Sequence, residues 1–209
     1  MHFIKNEYRA AGQFFKQRLA VMTFIIAVVC IAFCAFGYWA LMHSPDITEM
    51  LGKVVVDALE QKGIMDQTGA GLAVGLFANN FVALGLMVVL GFVPFVFLPA
   101  FTLLGNATVL SVAFALYGHF TDVPVWQMIV AGILPHGIFE LPAMFIAGAM
   151  GIYLCTTLCK KIIHPRRKIY FGRELLCLLR VFVLIEIPLL IIASLVESFI
   201  TPMLLNLVI

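Results

Sequence analysis

The chain is predicted to be an all-α, polytopic membrane protein with about five transmembrane helices. Three observations carry that prediction. Hydrophobic residues make up 63% of the sequence and charged residues 11%, against about a quarter charged in a soluble domain. Mean hydropathy is +1.09. Apolar runs recur along the chain at or near the roughly 20 residues that a bilayer crossing requires.

Charge sets an orientation. The net charge of +2 hides a sharp asymmetry. Lys5, Arg9, Lys16 and Arg18 precede the first apolar run, and Lys160, Lys161, Arg166, Arg167, Lys168 and Arg173 fill a later loop. Between them, residues 43–78 carry Asp46, Glu49, Asp57, Glu60 and Asp66 against only Lys53 and Lys62. Lysine and arginine stay on the cytoplasmic side of a membrane. One membrane domain, residues 1–209, is therefore expected in the cell membrane, with a cytoplasmic basic arm at 1–18 and a cytoplasmic basic loop at 160–174. The acidic segment 43–76 is expected outside.

The elements follow in order. Leu19–Met42 is longer than the 7–15 residues of a typical signal h-region and lacks a clear cleavage site, so it reads as a retained first span. In the arm before it, Phe3, Ile4, Tyr8, Phe14 and Phe15 interleave with basic residues, the pattern of an interfacial helix or of a frayed tail. After the capping sequence His43-Ser44-Pro45-Asp46, the residues Ile47, Met50, Leu51, Val54, Ala58 and Leu59 recur at helical spacing. They predict an amphipathic helix on the outer membrane surface or on neighbouring spans, ended by Gly63 and Gly69-Ala70-Gly71. A second span is expected from Phe77 through Gly91 toward Pro94, then a charge-free turn between Pro94 and Pro99. A third begins after Gly105-Asn106 and reaches His119. Thr121-Asp122-Val123-Pro124 reads as an outside loop, with Trp126 as an interfacial anchor. Residues 127–159 are too many for one straight span and few for two, which predicts a broken or re-entrant helix at 127–142. A last span runs from about Leu175 to Phe199 and leaves the C-terminus outside.

Polar residues at membrane depth are the candidates for function, because they normally face protein or a wet cavity. In Pro135-His136-Gly137-Ile138-Phe139-Glu140-Leu141-Pro142-Ala143, the hinge residues Pro135, Gly137 and Pro142 open the helical ladder around an imidazole and a carboxylate. His136 and Glu140 are four apart and would share a helix face. They could satisfy each other, or hold a ligand, ion or proton; a half-helix end at Pro135 could also hold an anion. Two such residues without a spaced third do not define a metal site, so none is expected. Asn79, Asn80 and Asn106 stand at expected span starts, where amides cap helices or cross-link spans. Glu186 lies well inside the last span and needs a partner: Arg180, the polar break, or the same span of a second copy. Glu197, eleven residues on, is expected to face the same way near the outer interface.

The motif PHGIFELPA, followed by a small-residue helix and preceded by Asn79-Asn80, resembles the stage II sporulation protein M family over roughly residues 75–200. His136, Gly137, Glu140, Pro142 and Ala143 match its pattern, whereas Asn106-Ala107 departs from the Asn-Gly expected there. The resemblance implies about five spans with a cytoplasmic N-terminus. It also implies a non-catalytic scaffold, since the sporulation member anchors cell-wall-degrading hydrolases; a sporulation role does not carry over to this chain.

The residues themselves show no nucleophile elbow, zinc-protease, Walker or dinucleotide motif, so neither an enzyme nor a cofactor is expected. The five cysteines lie in or beside apolar runs, at a spacing of four in two pairs, and read as packing residues rather than a disulfide framework. The partners expected are the lipid bilayer and an extracytoplasmic envelope protein docked on 43–76. Ala143, Ala147 and Gly151 could pack spans or support a homodimer; nucleic acid is not expected. The alternative function is a small-molecule or lipid transporter that uses the broken-helix polar site.

Overall fold

The computed structural model describes residues 2–61, 68–122, 124–166 and 170–207. Lys62, Gly63, Asp66, Val123, Arg167 and Lys168, named above, lie outside them, as do the side chains of Phe3 and Leu59. The described chain is helical, with no strand among the described residues. Five helices are long and apolar enough to cross a membrane: α1 (Ile4–Met42), α3 (Gly69–Leu90), α4 (Leu98–Phe120), α5 (Val125–Ile163) and α6 (Phe171–Leu205). A shorter helix, α2 (Pro45–Glu60), joins the first two.

Helix α5 is the axle of the bundle. Of its most apolar stretch 56% is buried, against at most 28% in any other span. Small residues make this approach close. Ala143, Ala147, Ala149 and Gly151 are all buried, and a Cβ added at Gly151 would stand 2.6 Å from the Met87 carbonyl of α3 and 2.7 Å from Pro99 of α4. The Ala143/Ala147/Gly151 face is thus spent inside the chain.

Several boundaries differ from the sequence reading. The second span begins at Gly69, not near Phe77. Gly69 and Gly71, which look like terminators, are absorbed into a membrane helix, where small side chains favour close packing; among the described glycines only Gly69 needs its freedom, at φ +57. The third span begins at Leu98, directly after a turn in which Phe95 and Phe97 take left-handed φ values of 68 and 53. That turn is tied to α5 by the Phe95 amide donating to Cys159 Sγ and by the Cys155 thiol donating to the Val93 carbonyl. Helix α5 runs on to Ile163 and α6 starts at Phe171, so the described basic loop is shorter than 160–174. The N-terminal arm is helical and continuous with the first span, and packs against the start of α6, where Arg180 pairs with Glu7 at 2.5 Å.

In α2 the packed face is Thr48, Leu51, Gly52 and Val55, against the ends of α1 and α4. Ile47, Met50 and Val54 stay exposed, as suits a helix that lies at an apolar interface. Thr48 donates to the Leu41 and Ser44 carbonyls at 2.8 and 3.0 Å and so closes the end of α1.

The interruption expected at 127–142 is a π-helical turn, Ile129–Ile133, and the chain continues through it as one helix without re-entering. Similar turns occur at Phe15–Leu19, Phe182–Glu186 and Val196–Ile200. Three of the four are followed two residues later by proline: Pro135, Pro188 and Pro202. A proline ring collides with the carbonyl four residues back and offers no N–H. Widening the preceding turn to five-residue spacing relieves that collision, so the helix survives its prolines. Pro142 stands inside α5 without such a turn.

Candidate functional site

Two of these widened turns flank the polar residues. His136 follows the turn in α5, while Glu197 lies within the second turn of α6 and Thr201 follows it. Asn80 stands eleven residues after Gly69 and His136 eleven after Val125, each about 16 Å along a helix axis. Asn80 therefore sits midway along its 22-residue span, and both residues lie well inside helices long and apolar enough to cross a membrane.

A chain of side-chain contacts crosses three helices. Asn79 Nδ2 donates to Asn80 Oδ1 at 3.1 Å, and Asn80 Nδ2 donates to Glu140 Oε1 at 3.0 Å. His136 Nδ1 lies 3.3 Å from Thr201 Oγ1. The Thr201 hydroxyl itself donates to the Val196 carbonyl at 3.4 Å, so its lone pair is free to accept from Nδ1–H. That tautomer leaves His136 Nε2 with a lone pair. His136, Glu140 and Glu197 each present one ligand atom, all within 4.8 Å of one another. Among the described residues, these are the ones grouped closely enough to hold a metal ion.

A cavity of about 750 Å³ adjoins them, walled by α1, α4 and α5. Most of its lining is apolar; Asn106, His136 and Glu140 supply polar groups. Its lining also includes Ile31, Val109, Leu134 and Ile138, which are exposed on the apolar outer surface. Access is therefore from the side, at membrane depth.

The structure redistributes several expected roles. His136 and Glu140 do not satisfy each other by a hydrogen bond; Thr201 and Asn80 do that. Because α5 is continuous, no free helix N-terminus stands at Pro135 to hold an anion. Gly137 is buried within that helix. Asn79 and Asn80 are mid-span, and Asn106 is one turn past Thr102, whose carbonyl accepts from its amide at 2.9 Å. None caps a helix end.

Glu186 is fully buried, with neither carboxylate oxygen hydrogen-bonded, and it lies outside the three-residue cluster. Arg180, one of its expected partners, is engaged by Glu7. Thr201 is the residue that sequence reasoning missed, and Glu197, expected beside Glu186 near the outer interface, instead joins His136 and Glu140. Their signal was available: a carboxylate near the end of the last apolar run and a hydroxyl just past it, with Pro202 behind them.

No curated protein and no solved structure matches the chain. A comparison with known families matches residues 20–202 to Stage II sporulation protein M. That match spans most of the sequence and takes in all or most of each of the five spans, the PHGIFELPA segment and the cluster it contributes to. This chain is a multi-pass membrane protein that belongs to the stage II sporulation protein M family.

Proposed function

We propose that the chain is a non-enzymatic membrane carrier that binds a lipid-like or small amphiphilic molecule in the cavity between α1, α4 and α5. One observation carries this reading: a cavity of about 750 Å³ at membrane depth has apolar walls and an imidazole and a carboxylate among its lining. The volume falls within the roughly 300–1,000 Å³ of small-molecule sites, and a few polar groups on an apolar wall are how such sites orient their ligands. The apolar tail of the ligand would lie along Ile31, Val109 and Phe114, with its polar group turned to Asn106, His136 and Glu140.

A second reading, a scaffold for an extracytoplasmic envelope protein, is supported by α2. That helix exposes Ile47, Met50 and Val54 beside Asp46, Glu49, Asp57 and Glu60, a surface of mixed apolar and acidic character suited to a protein partner.

The test is recovery of bound molecules from protein purified in native lipid nanodiscs, with Ala113→Trp as a cavity-filling variant. The wild type is expected to carry a lipid or small molecule near one equivalent, and Ala113→Trp to lose it while melting like the wild type. Equal recovery from both proteins would remove the cavity from the argument. Stoichiometric recovery of an envelope protein, lost when α2 is altered, would establish the scaffold instead.

A further inference from the structure

We propose that His136, Glu140 and Glu197 form an intramembrane site for a divalent transition-metal ion of the zinc class. The inference goes beyond the carrier reading and does not depend on it.

Charge is the first argument. Two carboxylates lie within 4.8 Å of each other on two spans. Among the described residues, the ion pairs within 4.0 Å are Lys53–Glu49 and Arg180–Glu7, so neither Glu140 nor Glu197 has a lysine or arginine to neutralise it. Uncompensated carboxylates at membrane depth are costly. A divalent cation between them cancels both charges at once.

Geometry is the second. Zinc sits about 2.0–2.2 Å from imidazole nitrogen and carboxylate oxygen, which places tetrahedral ligand atoms about 3.4 Å apart. Rotamer adjustments of about an ångström bring the three atoms to that spacing. One imidazole and two carboxylates make a mixed nitrogen–oxygen set, suited to Zn²⁺, Mn²⁺ or Fe²⁺ rather than to Cu⁺, which prefers sulfur, or to Ca²⁺, which takes six or more oxygens.

The supporting shell is the third. Metal-binding imidazoles and carboxylates are usually oriented by hydrogen bonds from behind. Here Thr201 stands at His136 Nδ1 and leaves Nε2 with its lone pair, while Asn80 holds Glu140 and is itself held by Asn79. His136 and Glu140 also line the cavity, so the ion's fourth position can be reached by water or by a bound molecule.

The experiment uses untagged full-length protein in detergent, stripped with a chelator and titrated with Zn²⁺. It is read by elemental analysis, by thermal melting, and with Co²⁺ by its visible ligand-field absorption. One equivalent of zinc and a tetrahedral Co²⁺ spectrum are expected for the wild type. Glu197→Gln and His136→Ala should abolish both, Asn80→Ala should weaken affinity about 10–100-fold, and Glu186→Gln should change nothing. Glu197→His, which restores a ligand, should recover binding and so separates lost ligation from misfolding. Folded wild-type protein that takes up no metal, or equal uptake by Glu197→Gln, would overturn the site and leave protons to neutralise the two carboxylates. Loss of zinc binding with the cavity ligand retained would sink this proposal alone. The reverse result would sink only the carrier.

Discussion

At the scale of single residues, Glu186 and Glu197 show how alike two carboxylates in one helix can look and how differently they are placed. Glu197 shares a cluster with His136 and Glu140, drawn from another span, whereas Glu186 is fully buried with both oxygens unpartnered. Leaving a buried polar group unsatisfied costs about 1–3 kcal/mol, and an apolar group of similar shape removes that cost. Glu186→Met is therefore expected to raise the melting temperature in detergent; a clear fall would mean that the carboxyl has a partner worth keeping. The sequence singled out His136, Glu140 and Asn80 because ionisable and amide groups in an apolar chain have few places to go, but it set Asn80 at a span start, whereas Asn80 stands mid-span and donates to Glu140. It could not join Glu197 to them. That contact depends on how α5 and α6 are rotated about their axes, which a tertiary arrangement sets and a single helix does not carry.

At the scale of elements, the class and number of spans were legible because length and hydropathy suffice for them. Boundaries were less so. Glycine and asparagine read as punctuation at Gly69-Ala70-Gly71 and at Gly105-Asn106, yet inside lipid a helix keeps its backbone bonds and uses such residues for contact. This makes opposite predictions for two glycines. Gly151 abuts the Met87 carbonyl and the Pro99 ring, and backbone cannot yield, so Gly151→Ala should destabilise by about 1–3 kcal/mol. Gly12 has nothing within 4 Å of an added Cβ, so Gly12→Ala should be neutral or stabilise by up to about 1 kcal/mol. Thermal unfolding of the two variants side by side checks the packing of α5; equal effects would mean that the α3–α5 contact is looser than drawn. The π turns could not be read beforehand, although the prolines that follow three of them were in plain view.

At the scale of the molecule, the bundle is closed by its first and last helices. Arg180 reaches Glu7 with two nitrogens, at 2.5 and 3.4 Å, and both side chains are about three-quarters buried. A fork of this kind on partly buried groups exceeds an ordinary surface pair, which is worth about 0–1 kcal/mol. Arg180→Met and Glu7→Gln should each lower stability by about 1 kcal/mol, and the double variant should lower it little further; additive losses in a double-mutant cycle would show that the residues act separately. The π turns matter at this scale too. Each winds one residue more into its helix than α geometry calls for, like a wrinkle in a carpet. Where a proline follows it, as at Pro135 and Pro202, the wrinkle is pinned in place. Freed and slid along by one turn, it re-aims the side chains it passes by about 100° while both ends of the helix stay in place. His136, Glu197 and Thr201 all sit in or beside such wrinkles, so replacing Pro135 or Pro202 would free the turn and change the direction in which these side chains point, with no helix sliding past another.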